Sequence, residues 1–135
     1  MVTVPLLLSL PFLLAGVAAR GRINVTVTGD VLCAKKPAAD VQLELWDGNL
    51  VSEDDLLASG KSDKQGHFSI FGVNDVKTMG NDVYLLMTHT CGVSDPLSCT
   101  RTSNYPIGPA KYGSVYEMQQ VALDIYTTGE EERCE

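Results

Sequence analysis

From Ile23 onward, apolar residues recur at every second position, and this period constrains the fold more than any other feature of the chain. In INVTVTGDV, Ile23, Val25, Val27 and Val31 share one side, while Asn24, Thr26, Thr28 and Asp30 share the other. A strand points successive side chains to opposite faces, so the first set packs on a core and the second meets solvent. Pro37 in AKKPAAD has no N–H to give to a ladder and ends the segment. VQLELW alternates again with Val41, Leu43 and Leu45 inward, and DGNLVSEDD follows as a polar loop holding Glu53, Asp54 and Asp55. LLASGKS reads as a third, weaker strand; Asp63 to Gly66 as a tight turn; HFSIF as a fourth strand. DVYLLMTHT is mostly apolar, which predicts a central strand covered on both faces. A sixth strand spans about Thr100 to Ile107, and the last about Val115 to Tyr126. In the last, the apolar phase slips between Met118 and Val121, predicting a bulge near Gln119-Gln120. Seven short strands with turns between them and no helical pattern predict an all-β, seven-stranded antiparallel β-sandwich.

The start of the chain has a different pattern. MVTVPLLLSLPFLLAGVAA is apolar from Val4 to Ala15 and ends in small residues. That run is too short to span a bilayer core of about 30 Å as a helix. With Val17-Ala18-Ala19 after it, residues 1–19 are expected to be a secretory signal, although its first residues hold no Lys or Arg. Residues 20–135 are then one exported domain with no transmembrane anchor. In an oxidising compartment the four cysteines, Cys33, Cys91, Cys99 and Cys134, are expected to form two disulfides. Asn24-Val25-Thr26 is a glycosylation sequon whose asparagine points outward. A net charge of −7 argues against nucleic acid as a partner, since phosphate binding requires clustered cations.

Strand direction sorts the loops. In an antiparallel run, odd strands end together, which brings Cys33, Cys91 and the tail with Cys134 to one end. HTCGVSDPLSCTR joins the fifth and sixth strands, and a Cys91–Cys99 bridge would close its neck at about 2–3 kcal/mol in the chain-entropy model. That leaves Cys33–Cys134. The crossed pairing, Cys33–Cys91 with Cys99–Cys134, has the same end-to-end geometry and is the alternative. The same end gathers Lys35, Lys36, Lys61, Lys64 and Arg101; the opposite end carries Asp47, Glu53, Asp54, Asp55, Asp75 and Asp82. Glu130, Glu131 and Glu132 of the tail return to the basic end and are expected to neutralise part of it.

The ordered segments VTGDVLCAKKPAADVQLELWD, SEDDLLASGKSDKQGHFSIFG, THTCGVSDPLSCTR and GEEERCE together resemble the nematode transthyretin-like family. The resemblance covers nearly all of residues 20–135. It implies a secreted protein with a transthyretin-type (prealbumin-type) sandwich.

Three functional classes follow. Transthyretin-fold hydrolases that open hydroxyisourate rings use a His, Arg and His set and a C-terminal Tyr-Arg-Gly-Ser, whereas this chain ends Glu-Arg-Cys-Glu. His67 and His89 lie on different strands, and His89 alternates with Val83, Leu85 and Met87, which turns its ring to the core. No converging ligand set for zinc is expected, nor any cofactor, and the chain is not expected to be an enzyme. A carrier of a small hydrophobic ligand in the manner of transthyretin is the alternative, although Tyr116, Met118 and Gln120 do not read as a channel lining. An extracellular signalling or interaction protein with a protein ligand is a further one. The favoured class is an extracellular recognition module, since rigid frames present loops. The resemblance permits a specific form of it: a bridge that recognises phosphatidylserine on apoptotic cells and presents them to a phagocyte receptor. Lys35, Lys36, Lys61, Lys64 and Arg101 are the candidate contacts to the anionic lipid head groups.

Overall fold

The structure, a computed structural model, describes residues 21–126 and 129–135, so the expected signal at 1–19 lies outside the described residues. Among the described residues, nine strands follow in order: β1 (Arg22–Cys33), β2 (Lys36–Pro37), β3 (Gln42–Asp47), β4 (Asp55–Lys61), β5 (His67–Asp75), β6 (Val83–His89), β7 (Cys99–Pro106), β8 (Val115–Ala122) and β9 (Glu131–Cys134). A single 3-10 turn, Pro109–Lys111, lies between β7 and β8. The two strands beyond the expected seven are short: β2, where the chain reverses after β1, and β9, formed by the acidic tail.

The strands form two sheets. In one, β1 pairs β5 on one side and β8 on another, with β2 at its C-terminal end. The other runs β4-β3-β6-β7-β9. Every pairing is antiparallel except β1 with β8, which is parallel, a departure from the uniformly antiparallel sandwich expected. The connection from β7 through the 3-10 turn to β8 carries the chain back to the start of β1, so β8 enters beside Thr26 and runs the same way. The expected bulge is present: Thr28 faces Glu117 and Asp30 faces Gln120, three steps on β8 against two on β1. Gln119 takes φ +62° there.

The alternating residues build the core as the period of two dictates. Val25, Val27 and Val31 of β1, Phe68 and Ile70 of β5, and Val121 meet Leu43, Leu45, Val83, Leu85 and Met87 from the facing sheet. Each such side chain contributes about 1.5–3 kcal/mol over its exposed state. Asn24 is exposed and Thr26, Thr28 and Asp30 are half-buried on the outer face. β6 is central in its sheet, yet only its inner face is covered: Tyr84, Leu86 and Thr88 are half-exposed on the outer one.

The disulfides follow the crossed pairing, Cys33–Cys91 and Cys99–Cys134, and correct the expected Cys91–Cys99 and Cys33–Cys134. Two features explain it. The tail is a strand: β9 lies along β7 with Cys134 opposite Cys99, so these sulfurs are lateral neighbours. The loop between β6 and β7 is closed without a bridge, because the Asp95 carbonyl accepts from Ser98 and Cys99 N–H and its carboxylate accepts from Leu97 N–H and Ser98 Oγ. Cys91, buried just beyond β6, is then left to meet Cys33 from the other sheet.

Candidate functional site

At the end of the sandwich where β1 and β6 finish, two loops are joined by one buried hydroxyl. Ser62 Oγ donates to the Ala38 carbonyl at 2.8 Å and accepts from Val41 N–H at 3.0 Å. Ser62 N–H donates to Val41 O, and Asp40 N–H to Ser62 O. The segment after β1 and the turn between β4 and β5 are thereby one unit. Gly66 seals their contact, because its φ is +77° and a Cβ there would lie 2.5 Å from Val31 O and 3.3 Å from Pro37 Cα. Lys35 and Lys36 stand on the first loop and Lys61 and Lys64 flank the second, all four exposed. The register agrees with this placement: Lys36 is opposite Cys33, and Lys61 is opposite Gln42. Three carboxylates here serve the loops themselves. Asp30 pairs with His67 at 2.9 Å, Asp63 accepts from Gln65 and His67 N–H, and Asp124 accepts from Ala34 N–H.

The backbone here is bent against ordinary preference. Ala34 and Lys35 take φ +50° and +69° in the two-residue connection between Cys33 and Lys36, and Asp40 takes φ +58°. Left-handed conformations cost L-residues about 1–2 kcal/mol each, and such strain gathers at functional sites. Beside the strained loop opens a cleft of ≈ 690 Å³, lined by Ala38, Asp40, Gln42, His89 and the Cys33–Cys91 bridge.

Arg101 is not a free cation of this surface, which corrects its place among the lipid contacts. It is 8% exposed, in phase with inward-facing Cys99 and Ser103. Its Nε lies 3.2 Å from Glu130 Oε1, and its terminal nitrogens donate to Glu132 Oε1 at 3.1 Å and to the Gly92 carbonyl at 3.0 Å. The Tyr126 ring covers the guanidinium at 3.9 Å. Arg101 therefore binds the returning tail. The expected neutralisation of the basic end by Glu130 and Glu132 is directed at this residue and leaves the four lysines outside it.

The histidines do not converge. His67 lies on the outer face of β5 with Asp30, while His89 is buried on the inner face of β6. His89 Nδ1 accepts from Cys91 N–H at 3.1 Å, so in the neutral ring Nε2 carries the proton toward Ser103 Oγ at 3.4 Å. Held this way, His89 cannot take a proton from Ser103, as a Ser–His nucleophile pair requires. Burial pushes the His89 pKa down, Arg101 adds to this, and Glu130 opposes it. Cys99, Glu132 and Cys134 also lie close together, but both sulfurs are held in the disulfide and are not available to a metal.

The opposite end is organised around Asp47, which lies in phase with Leu43 and Leu45 and is fully buried. Its carboxylate accepts from Asn74 and Asn81 Nδ2 at 2.9 and 2.8 Å and from Asp82 N–H at 2.7 Å, and Lys77 Nζ lies 3.3 Å away. Burial raises its pKa; the hydrogen bonds from Asn81, Asp82 and Asn74, with the Lys77 charge, outweigh that and hold it below the usual carboxylate range. Lys77 also reaches Asp55 at 3.2 Å, Asn49 Oδ1 at 2.6 Å and Gly48 O at 3.1 Å. Tyr84 donates to Asp54, which keeps that carboxyl low as well. The loops 48–54 and 76–82 are thus fixed, yet they present Leu50, Val51, Val76 and Met79 to solvent. Spacing alone did not reveal the network, since its members are drawn from four segments; the phase of Asp47 was its one visible sign.

Residues 28–108 match the model of the TTR-52 transthyretin-like family. Transthyretin-like protein 16 of Caenorhabditis elegans is 41% identical over 112 residues, covering 83% of each chain. Transthyretin-like protein 2 of the same organism is 31% identical over 74 residues, covering 50% of this chain and 49% of that one. Among solved structures, a 9R-lipoxygenase from Cyanothece PCC8801 aligns at 20% identity and TM-score 0.47, over 79% of this chain and 18% of the lipoxygenase. On the family match and the identity to the first of these relatives, the chain belongs to the transthyretin-like family.

Proposed function

We propose that this protein is a secreted, non-enzymatic binding module that bridges two surfaces, its lysine end meeting phosphatidylserine on apoptotic cells and its Asp47 end meeting a phagocyte receptor. The observation that carries the reading is the convergence of Lys35, Lys36, Lys61 and Lys64, all exposed, on two loops joined through buried Ser62. A rigid group of ammonium ions suits a phosphate and a carboxylate held close together, at about 1 kcal/mol per cation near an anionic membrane. Fixing the loops in advance lowers the ordering cost of binding. At the other end, Leu50, Val51 and Met79 stand on fixed loops beside Glu53 and Asp82, an apolar crest with an acidic rim suited to a cationic protein surface. Among the described residues, no helix is long and apolar enough to cross a bilayer.

Sedimentation with phosphatidylserine–phosphatidylcholine vesicles tests the reading against vesicles of phosphatidylcholine alone. Binding should require phosphatidylserine, weaken with salt, and disappear when the four lysines are changed to Glu. Unchanged binding by the charge-reversed protein, or equal binding to both vesicles, would reject it.

A further inference from the structure

Between the two ends, the outer face of the sheet built on β1 carries a feature that neither end uses. Asn24 and Thr26 of the sequon both point outward from β1. Strand pairing places Val73 of β5 opposite Asn24, with Phe71 of β5 and Val115 of β8 on either side of Thr26. All three are uncovered: Phe71 is 56% exposed, Val115 54% and Val73 38%. An apolar row on a sheet whose β8 pairs only β1 among the described residues invites contact with other chains.

We propose that Asn24 carries an N-linked oligosaccharide whose first sugars lie over Phe71, Val73 and Val115, closing this face to protein partners while both ends stay open. In forming it, Asn24 Nδ2 bonds to C1 of the first N-acetylglucosamine of a lipid-pyrophosphate-linked oligosaccharide. The C1–O bond to the pyrophosphate breaks, the lipid pyrophosphate leaves with the electron pair, and the amide loses one proton. The acceptor pattern Asn-Val-Thr is satisfied by residues 24–26. Geometry sets where the sugars lie. Directly opposed side chains are about 5 Å apart and diagonal ones about 7–8 Å, so a sugar on Asn24 reaches Val73 and then Phe71. The C–H faces of the sugar rings cover apolar side chains, while their hydroxyls keep the face soluble. The inference rests on the proposed export of the chain.

The test is expression of the full chain, with its own first residues, in insect cells, together with Asn24→Gln and Asn24→Gln/Phe71→Ser. Secreted wild type should show a glycan mass removed by peptide N-glycosidase. Secreted Asn24→Gln should bind a hydrophobic dye several-fold more and self-associate in sedimentation velocity, and Phe71→Ser on that background should reverse both. Secreted wild type of unmodified mass would overturn the inference and leave export standing. Unchanged dye binding after glycan removal, or dye binding by Asn24→Gln that Phe71→Ser does not lower, would overturn the placement of the sugars. A wild-type chain retained inside the cell without glycan would overturn it through the export on which it rests.

Discussion

At the lysine end the chain is fastened covalently, Cys33 to Cys91 and Cys99 to Cys134, and its backbone is forced into left-handed conformations at Ala34, Lys35 and Asp40. At the Asp47 end there is no cysteine, and one buried carboxylate gathers Asn74, Asn81, the Asp82 amide and Lys77. Each end also buries a charge that ties down a neighbouring segment: Arg101 holds the tail, and Asp47 holds two loops. The difference lies in what is left over. Lys77, close to Asp47, is occupied by four partners, whereas Lys35, Lys36, Lys61 and Lys64 stand exposed on a frame fixed by other groups.

The contrast can be broken most sharply at Asp47. Asp47→Ala strands the Asn74, Asn81 and Asp82 donors and leaves Lys77 short of a buried partner, so it should cost about 3–5 kcal/mol in urea unfolding. Glu132→Gln, which weakens the Arg101 contacts while Glu130 remains, should cost only about 1 kcal/mol. Similar costs for the two would show that both ends are held by charge to the same degree.

Acid separates the ends more gently. Asp47 titrates below its unfolded value of 3.8, so the stability it adds is complete above that pH and lost only as pH falls through the lower folded value. Burial holds His89 below 6.5: as pH drops under 6.5 the unfolded chain takes up a proton that the fold refuses, and stability declines until the folded value is reached. The lysine end should therefore loosen first on acidification. Unfolding free energies measured downward from pH 7 should begin to fall near 6.5, and His89→Gln should flatten that part of the curve. A flat wild-type curve down to pH 4 would contradict this assignment.

The smallest effect concerns the strained connection. Glycine adopts positive φ freely, so Ala34→Gly should stabilise the protein by about 1 kcal/mol. A destabilised variant would mean that the methyl group packs in a way that outweighs the strain.

Most of this fold was legible in the alternation. The strands through His89 and the bulge at Gln119 follow from the phase of apolar residues, because each strand has one face on the core. The burial of Asp47 and Arg101 is legible by the same rule, although both are charged: one follows Leu43 and Leu45 in phase, the other sits between Cys99 and Ser103. β9 was hidden, since a strand of Glu, Glu, Arg and Cys has no apolar period and exists only because β7 offers an edge and Cys99 a partner. That hidden strand misdirected the disulfide pairing. The Lys77 contacts join residues about thirty apart and depend on loop geometry that no local pattern records.

The proposed contact with the anionic surface is made by the lysine loops and not by the Asp47 end. Hydrogen exchange of the protein, free and on phosphatidylserine-containing vesicles, reads both ends in a single measurement. Bound protein should gain protection in 34–41 and 61–66, with 48–54 and 76–82 unchanged. Protection confined to 48–54 and 76–82 would contradict it.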